Sequence, residues 1–123
     1  IEAVRKGWRD IRLVMVYQPH RYTRTLELFD QFVDVLSQVD HLVLLETYSA
    51  GEERIAGATG ADLYKHLRLK TEVEVVFLNA IDEVPNALEQ ILAPGDFLIT
   101  QGAGETATLA RTLTERWEDR RVL

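Results

Sequence analysis

The chain has 123 residues, 46% of them hydrophobic and 28% charged, and a formal net charge of −6. That length suits one domain with a real core, read here as residues 1–123, and leaves no room for a comfortable second one. The acidic balance argues against a protein that clamps nucleic acid by neutralising phosphates, and the lack of cysteine removes disulfides, thiolate nucleophiles and cysteine-based zinc sites.

Residues Ile1 to Gly7 read as the tail of an amphipathic helix without an initiating methionine or a cap, as expected of a fragment cut from a longer chain, with Gly7 ending the helix. A first strand is expected from Arg12 to Tyr17. It is followed by a helix whose apolar face carries Leu26, Phe29, Phe32, Val33 and Leu36 and which runs to about Val39. Further strands are expected at His41 to Leu45, Val73 to Leu78 and Phe97 to Thr100, the last launched by the turn Pro94-Gly95-Asp96. Between and after them, helix spacing recurs at Leu63, Tyr64 and Leu67, at Leu88, Ile91 and Leu92, and at Leu109, Ala110, Leu113 and Trp117. Strand and helix alternate throughout, which predicts an α/β fold: a Rossmann-like three-layer sandwich with a mostly parallel sheet. The apolar runs end after about five or six residues, against about 20 for a membrane-crossing helix. With no signal-peptide pattern either, a cytoplasmic protein with no membrane partner is expected.

The irregular segments Pro19 to Thr25, Thr47 to Thr59, Asn79 to Asn86 and Gln101 to Thr106 all follow strands, so they should gather at the C-terminal edge of the sheet, where open α/β folds bind ligands. His20, Arg21 and Arg24 lie on the first of these segments. Arg24 falls in the first turn of a helix, where unpaired N–H groups and the macrodipole disfavour a cation and favour an anion that both could hold. The same three residues also read as solvated surface charges, with His20 packed on Tyr17 or Tyr22. Gly102-Ala103-Gly104-Glu105-Thr106-Ala107 matches G-x-G-x-x-A formally, but it follows the last expected strand, so Gly102, Ala103 and Gly104 read equally as a structural helix entry and as cleft-lining backbone. The long loop after the second strand offers Glu46 and Tyr48 near the strand end, and Tyr48 is the stronger cleft candidate; Glu52 and Glu53 read as a solvated pair. The chain carries no P-loop and no G-x-S-x-G elbow, its three histidines lack metal-ligand spacing, and Asn79 stands where a receiver domain wants its aspartate. No metal ligand is therefore expected.

The run Leu13-Val14-Met15-Val16-Tyr17-Gln18-Pro19-His20-Arg21-Tyr22-Thr23-Arg24-Thr25 resembles the C-terminal domain of the UDP-N-acetylmuramate-L-alanine ligases, members of the Mur ligase family. So do Val35 to Asp40, Tyr48-Ser49-Ala50-Gly51-Glu52, Pro94-Gly95-Asp96 and Thr100 to Gly104, in the expected order over nearly the whole chain. The resemblance implies the last of three domains in an enzyme of peptidoglycan synthesis that joins L-alanine to UDP-N-acetylmuramic acid, using ATP and magnesium held mainly by a central domain. It implies that His20, Arg21 and Arg24 grip substrate, through the carboxylate of the incoming alanine, while the domain closes over the site. The family's Asp-Tyr-Gly-His-His-Pro motif is not in the chain, nor is the ATP loop, so this polypeptide alone is expected to be inactive. The alternative, from another class, is a stand-alone Rossmann-type module that binds a small anion or nucleotide without catalysis.

Overall fold

The computed structural model describes residues 11–102 together with Leu109, Arg111, Leu113, Arg121 and Val122. The helix expected at Ile1 to Gly7, and Ala103, Gly104, Ala110 and Trp117, lie outside the described residues. In chain order the elements are β1 (Leu13–Tyr17), α1 (Tyr22–Glu27), α2 (Phe29–Leu36), β2 (His41–Leu45), α3 (Gly60–Lys70) and β3 (Glu74–Leu78). A 3-10 turn (Ile81–Glu83), α4 (Val84–Ile91), β4 (Phe97–Gln101) and β5 (Arg121–Val122) follow. The strands form one sheet in the order β3-β2-β1-β4-β5, and every pairing is parallel.

Side chains in a strand alternate between the two faces of a sheet, and here both faces are covered. Leu13, Met15, Leu42 and Leu44 point to one side and pack with Leu36, Leu63 and Leu67 of α2 and α3. Val14, Val16, Val43 and Leu98 point to the other and pack with Val84 and Leu88 of α4 and with the helical Leu109 and Leu113. Continuous apolar runs therefore become strands buried on both sides, as a parallel sheet requires. The protein is a Rossmann-like three-layer α/β sandwich.

Three sequence expectations are corrected. The helix after β1 is two helices: Leu28, at φ −112° and ψ 18°, ends α1 and precedes α2. The break takes Leu26 off the core-facing stripe and leaves it 51% exposed. The segment from Asn79 to Asn86 is not a loop throughout, because the 3-10 turn and then α4 begin within it. Phe97–Gln101 is not the last strand either. Arg121–Val122 pairs with Phe97 and Leu98 as a fifth parallel strand, and two residues are too few for an alternation pattern to show in sequence.

The two central strands are stapled where they begin. The Arg12 guanidinium donates to the Asp96 carboxylate from Nε (3.1 Å to Oδ1) and from Nη2 (2.6 Å to Oδ2), and also to the carbonyl of Ile91. Asp96 is buried and takes a further bond from the Ala93 N–H at 2.8 Å. The hydrogen bond with Asp96 raises the Arg12 pKa above its ordinary value despite the opposing effect of burial. This pair sits at the N-terminal edge of the sheet, away from the loops in which function was expected.

Candidate functional site

β1 has β2 on one side and β4 on the other, and Leu36 of α2, after β1, packs on the face opposite to Leu109 and Leu113, after β4. Such a reversal of strand order opens a crevice beyond the carboxyl ends of the strands, the place where open α/β sheets bind ligands. A crevice of about 300 Å³ lies there. Tyr17 and Gln18 from the end of β1 and Gln101 and Gly102 from the end of β4 line it, together with His20, Arg24 and Phe32. The two strand ends are tied directly, since the Gln18 N–H donates to the Gln101 carbonyl at 3.1 Å.

One wall is aromatic: Tyr17 and Phe32 stand with ring centroids 5.9 Å apart. Burial pushes the Tyr17 phenol above its ordinary pKa, with the nearby Arg24 charge pulling the other way. It is a neutral hydroxyl at physiological pH. The rest of the lining is the Arg24 guanidinium, the His20 imidazole, the amides of Gln18 and Gln101, and Gly102. Among the described residues, Arg24 has no acidic side chain within ion-pair distance. An unpaired guanidinium over a small crevice, beside an imidazole and two glutamines, is the donor set that holds a carboxylate or phosphate.

Of the three basic residues singled out in the sequence, the crevice brings together His20 and Arg24. Arg21 does not line it. Arg21 is the residue before α1, with φ 68° and ψ 135°, a conformation that residues with a Cβ rarely adopt. It is held there by its N–H, which donates to the Tyr48 carbonyl at 2.7 Å, and by its carbonyl, which accepts from both the N–H and the hydroxyl of Thr25.

The N-terminus of α1 is not the open anion site expected of it. α1 has six residues, too few for a substantial macrodipole, and its N-terminus already has an anion. Glu52 accepts from the Thr23 hydroxyl at 2.7 Å and from the Thr23 N–H at 3.3 Å. The hydrogen bond from the Thr23 hydroxyl is the chief reason its carboxyl sits below the usual range. Glu52 is thus no idle member of a solvated pair, and its partner lies 29 residues away in sequence.

Tyr48 does not line the crevice. Its ring, 50% exposed, stacks on His20 with centroids 5.6 Å apart and planes 13° from parallel. Its N–H donates to the Pro19 carbonyl at 2.7 Å, and with the Arg21 bond this makes a parallel bridge that prolongs the β1–β2 pairing past the strand ends. Glu46 faces the chain itself: its Oε2 accepts from the N–H groups of Thr47 (2.7 Å) and Gly60 (2.5 Å), anchoring the start of α3. Of the glycine motif, Gly102 lines the crevice at φ 151°, whereas Ala103 and Gly104 lie outside the described residues. The other histidines are elsewhere, His41 at the start of β2 and the exposed His66 edge-on to Phe29.

The sequence reading missed Gln18, Gln101, Tyr17 and Phe32. Gln18 and Gln101 directly end apolar runs that become adjacent strands, a signal usable only once β1 and β4 are known to be neighbours. Phe32 and Tyr17 read as core, and they are core on all but their crevice-facing side.

The described residues do not fit ATP and magnesium by themselves. The β1–α1 connection has no glycine with which to cradle a phosphate chain, and among the described residues no group of three His, Asp or Glu side chains is placed to hold a metal ion. Fold and crevice together define a Rossmann-like α/β sandwich with a crevice lined by Gln18, His20, Arg24 and Gln101 at its strand-order reversal. No family model matches the chain. No helix among the described residues is long and apolar enough to cross a membrane.

Proposed function

We propose that this chain is the substrate-closing C-terminal domain of an ATP-dependent amide-forming ligase of the Mur family, the one that adds L-alanine to UDP-N-acetylmuramic acid in the cytoplasm. The observation that supports this is the presence of His20 together with an Arg24 that has no acidic partner among the described residues, in a crevice of about 300 Å³ between the ends of β1 and β4. A small amino acid offers a carboxylate for these two donors and keeps its amine at the opposite end, free to attack. Anchoring one end of the nucleophile is what orients the other, and held reactants gain most of their rate from such positioning. Tyr17 and Phe32 give the side chain of a small amino acid an apolar wall. ATP and magnesium fall to the enzyme's central domain and the UDP-sugar to its N-terminal domain, both partners of this one. This chain alone neither hydrolyses ATP nor ligates alanine.

The test is Arg24→Ala in the enzyme joined to its ATP-binding domain. Losing a charge-assisted carboxylate contact costs about 1.5–3 kcal/mol, so the KM for L-alanine should rise about 10- to 100-fold while that for ATP stays within about twofold. Unchanged alanine kinetics would remove Arg24 from this role. One observation favours a second reading, a non-catalytic module for a small anion or nucleotide: the strand order 3-2-1-4-5 matches five strands of the doubly wound 3-2-1-4-5-6 sheet of dinucleotide-binding Rossmann proteins. Titration of the chain with AMP and with L-alanine separates the two, since the module should prefer the nucleotide.

A further inference from the structure

We infer that Glu52 is a positioning residue for the crevice, acting through Thr23 to hold the turn that carries His20 and leads into the start of α1, where Arg24 stands. It rests on the carboxylate-binding reading above. The turn from Pro19 to Thr23 is gripped at both ends by one segment of the loop after β2. Tyr48 takes the first end through its main-chain bonds to Pro19 and Arg21 and its ring on His20. Glu52 takes the second through both Thr23 donors. The two grips are linked by a tight turn in which Glu52 N–H donates to the Ser49 carbonyl at 3.0 Å and both central residues, Ala50 and Gly51, have positive φ. The loop is closed on itself where the Thr47 hydroxyl meets the Ala58 carbonyl at 3.4 Å.

Between the grips sits Arg21 in its rarely adopted conformation. Strain of that kind persists only where the surroundings over-determine it. Releasing the Thr23 end lets Arg21 relax toward negative φ, and because Arg24 is three residues on, its guanidinium leaves the crevice.

The sign of the effect separates this role from simple electrostatics. A carboxylate near a cationic site repels an anionic ligand, so removing Glu52 as a charge alone should tighten carboxylate binding, by about twofold or less for a screened surface group. As a positioning residue, its removal should weaken binding.

The experiment is NMR on the chain, wild type against Glu52→Ala and Glu52→Gln, with L-alanine and acetate as probes. Glu52→Ala should weaken carboxylate binding about five- to tenfold, the scale of one lost hydrogen bond. It should also speed amide exchange at Arg21 and Thr23 while the β1 and β2 amides keep wild-type protection. Glu52→Gln, which retains an acceptor oxygen without the charge, should recover part of both. Carboxylate binding that tightens or stays constant in Glu52→Ala, or exchange at Arg21 and Thr23 that does not change, overturns the inference. A wild-type chain that binds neither probe, with faster exchange in the variant, would instead retire the carboxylate reading and leave the brace standing.

Discussion

Gly60, the first residue of α3, is packed so closely under the end of β2 that Gly60→Ala should destabilise the protein by about 2 kcal/mol. A β-carbon there would stand 2.6 Å from the Leu45 carbonyl oxygen and 2.9 Å from the Glu46 Cα. Ordinary contact begins near 3.4 Å, so 3.4 − 2.6 = 0.8 Å must be found. β2 cannot supply it, because Leu45 is fully buried and in register with Leu78. The start of α3 must retreat instead, stretching the 2.5 Å bond from the Gly60 N–H to Glu46 and straining the adjacent capping box of Thr59 and Asp62. Overpacking of this kind costs about 1–3 kcal/mol, and a weakened bond to a carboxylate up to about 1.5. The better helix propensity of alanine returns at most about 1. Urea unfolding followed by far-UV circular dichroism reads the balance. With a slope of about 1.3 kcal/mol per molar for a chain of this size, the midpoint should fall by about 1.5 M. A shift under about 0.3 M would show that the strand end yields, and would refute the close-packing argument.

Two further predictions concern the opposite edge of the sheet. Asp96→Ala removes a buried carboxylate with four donor contacts. Since Arg12 is itself 41% exposed and can be rehydrated, the loss should be about 2 kcal/mol rather than the 3–5 of a fully buried pair, with carboxylate affinity at the crevice unchanged. Chemical denaturation and an L-alanine titration check the two halves. His41 is nearly buried, its Nδ1 has no hydrogen-bond partner among the described residues, and its Nε2 lies 3.5 Å from Glu74. Burial lowers its pKa below the ordinary 6.5, with Glu74 opposing. The unfolded chain therefore takes up a proton first as pH falls, so this contribution to stability is whole above about pH 6.5 and is lost on descending toward the folded-state pKa. His41→Leu should flatten that slope in urea midpoints measured between pH 7.5 and 5.5, and an equal slope in both proteins would dismiss His41 as its source.

Four strands and the three-layer class were legible because their signals are local: each strand holds a run of at least three consecutive apolar residues, and helix spacing separates the runs. What stayed hidden depends on partners distant in sequence. The Leu28 break shows no glycine or proline, β5 is two residues long, and the meeting of Gln18 with Gln101 exists only once β1 and β4 pair. Glu52 is the sharpest case. Adjacent to Glu53, it carries every mark of a solvated surface charge, and only the fold reveals that Thr23 waits for it.

The three arginines flanking β1 show why composition could not rank them. Arg12 precedes the strand and is committed to Asp96, whose bonds raise its pKa. Arg21 follows it, stands outside the crevice and feels Glu52 electrostatically. Arg24, three residues further, lines the crevice with no acidic partner among the described residues. Identical side chains within thirteen positions thus have three different electrostatic situations, set by which carboxylate the fold delivers to each. A guanidinium already satisfied gains little from a ligand, whereas an unsatisfied one gains the most. Anion binding should therefore be governed by Arg24, tuned through Glu52 and indifferent to Asp96, an order that follows from the placement of two carboxylates and not from the number of cations.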